Sequence, residues 1–177
     1  EQYINQSVEA LQALPVPVVA QVRGACAGFG LSLVLGCDLV VAADSAYFTT
    51  AYASIALSGD GGVSWLAPRI LGRRKAFELL LLADRFDAAE ALRLGVGNRV
   101  VPAAELEVAV ADLLARILRG PGRTYGEIKG LLNASPDQSL GAQLQLEAEA
   151  FARCTSRPDF DEGINAFLGK RKARFNG

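Results

Sequence analysis

An α/β fold is predicted by three features of the sequence. Short apolar runs that suit buried strands lie before Pro102, a glycine-rich turn, "GACAGFG" (24–30), follows the first of them, and helical patterns dominate from Pro102 onward. Ile4, Val8, Leu11 and Leu14 recur at helical spacing and predict a helix over residues 2–14, ended by Pro15 and Pro17. Residues 18–22 predict a buried strand, 31–35 a buried helix, 38–42 a second strand and 46–50 a third. "SGDGG" (58–62) must be a loop, and the apolar segment after it suits a helix interrupted by Pro68. Residues 73–83 are an amphipathic helix. Asp87 suits the N-cap of a helix over 88–94, which Gly95 stops, and 98–101 form a strand. Residues 103–118, 125–132, 140–154 and 160–168 read as helices punctuated by Pro121, Pro136 and Pro158. Four short strands are few for a sheet-based core, so further strands are expected from additional N-terminal sequence or from elsewhere. A chain that has no Met and begins at Glu1 points the same way.

The bulk composition narrows the function classes. Of 177 residues, 51% are hydrophobic and 21% charged, which suits a globular chain with a real core. A net charge of −1 gives no overall attraction to nucleic acid or a membrane surface, and no apolar run is long enough to span a bilayer. Cys26, Cys37 and Cys154 are scattered and odd in number, as expected of buried thiols in a reducing, cytoplasmic setting. There is no histidine, which removes an imidazole base, a Ser-His triad and His-metal ligation from this chain.

Two chemistries fit a glycine turn between a strand and a helix. One is nucleotide binding: Gly24, Gly28 and Gly30 have phosphate-loop character, and Tyr125 and Lys129 form a Tyr-x-x-x-Lys pair like that of NAD(P)-dependent short-chain dehydrogenases. Against it, a helix and two prolines precede the strand, and no alternating strand–helix series separates the glycines from Tyr125. The other is an oxyanion site, in which N–H groups at a helix start face a developing enolate oxygen.

Three stretches favour the second chemistry: "LPVPVVAQVRGACAGFGLSLVLGCDLVVAADSAYF" (14–48), "LAPRILGRRKAFELLLLADRFDAAEALRLGVGNRVVP" (66–102) and "DFDEGINAFLGKRKARF" (159–175). Together they resemble the crotonase superfamily of enoyl-CoA hydratases and isomerases. The resemblance implies part of a ββα spiral core over residues 1–101 and a helical trimerisation region over 102–177. It implies an acyl-CoA substrate, no cofactor and no metal, and a homotrimer or dimer of trimers.

The resemblance also assigns site residues. The Phe29 backbone N–H falls on one oxyanion donor, flanked by Ala27 and Gly28. The two glutamates of hydratases fall on Ser32 and Tyr52, neither a carboxylate, which puts water addition in doubt. Asp60, in "LSGDGGVSW", matches the single catalytic aspartate of isomerase-type members. One such base shifts a double bond by moving a proton from the α to the γ carbon. Ala27, Gly28, Tyr52, Leu57 and Trp65 are implied substrate contacts; Tyr52 is expected to line the acyl pocket, and Leu57 and Trp65 also to bury Asp60 and strengthen it as a base. Phe167 and Lys170 are implied CoA contacts. Alternative functions are a hydratase, a non-catalytic acyl-CoA binder and the dehydrogenase. Without the family match, Asp60 would read as a helix cap and Asp38 as a structural cap or pair.

Overall fold

The computed structural model describes residues 2–175. The chain divides into two compact units, one of Glu1–Gln12 with Val18–Ala111 and one of Ala13–Pro17 with Asp112–Gly177.

In the first unit, α1 (Gln2–Ala13) is followed by β1 (Val19–Val22), β2 (Ala25–Ala27) and α2 (Phe29–Leu35). Next come β3 (Leu39–Ala43), β4 (Tyr47–Thr49), α3 (Val63–Leu71) and α4 (Arg73–Leu82). Then come β5 (Phe86–Asp87), α5 (Ala88–Arg93) and β6 (Arg99–Val101), and α6 (Leu106–Leu118) begins in the first unit and ends in the second. The strands form two three-stranded sheets, β1-β3-β6 and β2-β4-β5. The first is wholly parallel, with Val19 opposite Leu39 and Val41 opposite Arg99. In the second, β2 runs parallel to β4, and β4 antiparallel to β5. The chain thus visits one sheet, then the other, then a helix, and repeats. Parallel neighbours require such crossovers.

Two strands escape the sequence pattern. β2 lies inside the glycine-rich turn and β5 is two residues long, so neither has room for an alternating signature. Pro68 does not interrupt α3. An internal proline costs about 3 kcal/mol, whereas fully burying an aliphatic side chain such as Val63 or Leu66 yields roughly 1.5–3 kcal/mol each. Two anchors therefore outweigh one proline. Residues 103–105 form a separate 3-10 turn before α6. Asp87 caps α5 as expected, accepting from the Glu90 N–H at 2.8 Å. Asp38 is structural, accepting from the Val18 N–H at 2.7 Å.

The core is continuous across both sheets. Val41, Ala42, Ala43, Phe48 and Leu106 are fully buried, with Leu31 and Val63 close to it. Phe48 stacks on Phe86 with ring centroids 5.5 Å apart. Phe48→Ala is expected to lower the unfolding free energy by about 3–5 kcal/mol, read from urea denaturation. Cys26 shares this core, and burial, reinforced by Cys37, pushes its thiol up to about 11, so it packs rather than reacts.

The second unit contains α7 (Gly122–Ala134), α8 (Leu140–Thr155) and α9 (Pro158–Leu168), with α7 packed on α8 and α8 on α9. Glu127 joins Arg153 at 2.9 Å and Arg157 at 2.8 Å. These bonds, Arg153's first, hold the Glu127 carboxyl below its ordinary range. A Cβ on Gly126 would lie 2.5 Å from the Pro15 carbonyl oxygen, so only glycine lets α7 approach the 13–17 segment. Lys129, one turn on, donates to the Val16 carbonyl at 3.4 Å. That contact and the packing of the Tyr125 hydroxyl against Gly120 give the Tyr-x-x-x-Lys pair a structural role and not a dehydrogenase one. Among the described residues, no helix is long and apolar enough to cross a membrane.

Candidate functional site

The glycine turn and the 59–62 loop meet in the first unit. At Gly28 the chain adopts φ 54°, ψ −126°, a conformation open chiefly to glycine, and so leaves β2 and enters α2 within one residue. The Gly28 N–H is spent on the Thr49 carbonyl at 3.1 Å, and the Gly28 carbonyl accepts from Leu31 and Ser32 at 3.0 and 3.2 Å. The N–H groups of Phe29 and Gly30, at the start of α2, meet no acceptor among the described residues. The Phe29 ring extends to the loop, where a Cβ on Gly61 would come within 2.7 Å of it.

Asp60 stands between Gly59, Gly61 and Gly62, all at positive φ, which lets the loop fold tightly ahead of α3. Its carboxylate does not cap that helix. The N-cap is Gly62, without a side-chain bond, and the Asp60 backbone carbonyl accepts from the Val63 N–H at 3.2 Å. The side chain is free for another task, and its Oδ1 accepts from the Tyr52 hydroxyl at 2.5 Å.

Tyr52 follows β4 and is held by its surroundings. Thr50 Oγ1 donates to the Leu79 carbonyl at 2.7 Å and Thr49 Oγ1 to the Ala83 carbonyl at 2.8 Å, fixing the strand's end to α4. The Tyr52 ring is buried, and its hydroxyl lies 2.9 Å from Ser32 Oγ on α2. Ser32 Oγ in turn donates to the Asp60 carbonyl at 3.0 Å. Burial first, then the bond to Asp60, raises the phenol above its ordinary value, so Tyr52 keeps its proton at neutral pH.

The structure therefore brings Ala27, Gly28, Phe29, Tyr52 and Asp60 into one neighbourhood. It corrects the surroundings expected for Asp60. Leu57 is 57% exposed and Trp65 43% exposed, with the Arg69 guanidinium 3.7 Å above the Trp65 ring. Neither buries the carboxylate in this chain; Tyr52 satisfies it instead, so Tyr52 is a donor to Asp60 and not simply a pocket wall. In the sequence Ser32 stands out only as a position where hydratases carry a glutamate, with no role of its own. The available signal was a hydroxyl inside the apolar run "GLSLVLG", one helical turn after Gly28, since a buried polar group needs a partner. Phe167 and Lys170 belong to the second unit, at the C-terminal end of α9, where both are exposed.

The family model described as enoyl-CoA hydratase/isomerase matches residues 1–177. The chain belongs to the enoyl-CoA hydratase/isomerase family. Among solved structures, an enoyl-CoA hydratase from Polaromonas sp. JS666 superposes with a TM-score of 0.95 at 35% identity, covering 99% of this chain and 68% of that one. The alternating sheets and helices of the first unit are thus those of the crotonase fold. The 1,2-epoxyphenylacetyl-CoA isomerase of Escherichia coli is 36% identical over 177 residues, 100% of this chain and 68% of that protein. The crotonyl-CoA hydratase of Syntrophomonas wolfei is 34% identical over 165 residues, 93% of this chain and 64% of that protein. The chain spans about two thirds of the length of these enoyl-CoA hydratase/isomerase relatives.

Proposed function

We propose that this family member moves a proton on an acyl-CoA thioester and shifts a double bond, with Asp60 as the base. The observation that carries the reading is the Asp60 carboxylate, oriented by Tyr52 on a loop in contact with the unspent helix start at Phe29. In this mechanism, one Asp60 oxygen takes the α proton of a 3-enoyl-CoA. The C–H electron pair moves toward the thioester oxygen, which the Phe29 N–H stabilises as an oxyanion. The electrons then return, the C3=C4 bond becomes C2=C3, and Asp60 gives its proton to C4. One carboxylate suffices because the same group removes and returns the proton.

Hydration is the second reading, favoured by the named hydratase relative. The hydroxyls of Ser32 and Tyr52, where that chemistry wants two carboxylates, weigh against it. The remaining proposals follow the family. Phe167 and Lys170 contact CoA, and the protein works in the cytoplasm as a trimer or dimer of trimers. The apolar Leu140, Leu144, Phe151, Ile164 and Leu168, exposed on α8 and α9, support a subunit contact there.

The test is to incubate the whole protein with butyryl-CoA in heavy water and follow the α protons by NMR, then to supply 3-hexenoyl-CoA. Exchange at the α carbon and formation of 2-hexenoyl-CoA are expected. Binding of both thioesters without exchange would leave a non-catalytic binder.

A further inference from the structure

Three contacts join four oxygens of Tyr52, Ser32 and Asp60 in a closed set: Tyr52 OH to Asp60 Oδ1 at 2.5 Å, Ser32 Oγ to Tyr52 OH at 2.9 Å, and Ser32 Oγ to the Asp60 carbonyl at 3.0 Å. Two hydroxyl protons serve these three contacts, because each hydroxyl donates once. From that count we infer that Ser32 and Tyr52 are a positioning pair that bias the protonation of Asp60 in opposite directions, Tyr52 toward the ionised form and Ser32 toward the protonated form. The inference rests on the reading of Asp60 as the base.

When Asp60 is ionised, its negative oxygen holds the Tyr52 proton in a charge-assisted bond, and Ser32 donates to the Asp60 carbonyl. When Asp60 carries a proton, its claim on the phenol weakens. Tyr52 then turns to Ser32 Oγ, which is already in reach and still donates to the carbonyl. Ser32 is fully buried, so it cannot be replaced as acceptor by bulk water. The pair thus gives the tyrosine a partner in both states of the base, which a carboxylate that cycles between them requires. The ionisable group acting on the phenol is Asp60, from the loop before α3; α2 faces it with Ser32, and the preceding turn with Gly28.

The two hydroxyls can be separated by their signs. Tyr52→Phe costs the ionised state a charge-assisted bond and the protonated state only a neutral one. Ser32→Ala costs the ionised state one neutral bond and the protonated state two. The probe is the Asp60 side-chain carboxyl carbon in 13C-aspartate-labelled whole protein, assigned by its loss in Asp60→Asn and followed by NMR across pH. This needs no substrate. The titration midpoint is expected to rise by about one pH unit in Tyr52→Phe and to fall by about half a unit in Ser32→Ala. Midpoints that stay put, or that move the same way, overturn the inference. Each substitution removes one oxygen, and if one variant fails to fold the sign from the other still decides. Failure here is distinct from failure of the base assignment, which is read from α-proton exchange.

Discussion

Asp60→Asn is expected to lower the isomerisation rate constant by about a thousandfold or more, within the range general bases contribute, while acyl-CoA binding changes less than about threefold. Asparagine keeps the size of the side chain and an oxygen that still accepts from Tyr52, so the orientation seen at 2.5 Å survives and only basicity is lost. The comparison of kcat with KM isolates the chemical step, because an interaction made only in the transition state lowers kcat and leaves binding alone. Turnover within tenfold of the parent protein would remove Asp60 from the mechanism.

Gly61→Ala is expected to disable the site from the neighbouring position. Gly61 has φ +58°, and a methyl there would lie 2.7 Å from two Phe29 ring carbons and 3.0 Å from Ser32 Cβ. The left-handed backbone costs a non-glycine residue about 1–2 kcal/mol, and overpacking adds typically 1–3 kcal/mol. Relief requires the loop to move away from α2, which carries Asp60 with it. A displacement of about 1 Å can cost a hundredfold in rate. The expected result is a loss of stability of about 2–5 kcal/mol by urea denaturation and a kcat lower by about two orders of magnitude. Adding Phe29→Ala removes the ring the new methyl meets and should recover part of both losses. Parent-like stability and turnover in Gly61→Ala would show that the loop and helix do not depend on this contact.

Much of the site was legible because backbone chemistry is written in residue type. Glycines at 28, 59, 61 and 62 mark turns that other residues resist, and Asp60 between them had to point somewhere. The helix boundaries followed from prolines and from the Asp87 cap. What the sequence hid were relations between distant segments. Nothing in "TAYAS" says that its tyrosine reaches a loop eight residues on, and nothing in "GLSLV" says that its serine closes the set. The surroundings expected for Asp60 erred for the same reason. Proximity along the chain put Leu57 and Trp65 beside the carboxylate, whereas the fold turns both toward solvent and brings Tyr52 across. β2 and β5 were missed because pairing with remote partners, and not local pattern, makes them strands.

The seating of residues 13–17 against α7 has a consequence for synthesis. These residues leave the ribosome before the groups that receive them, Gly126 and Lys129, which are translated more than a hundred positions later. Contacts so far apart in sequence delay folding. The helical unit therefore stays incomplete until α7 has been made, with Pro15 and Val16 waiting undocked between α1 and β1.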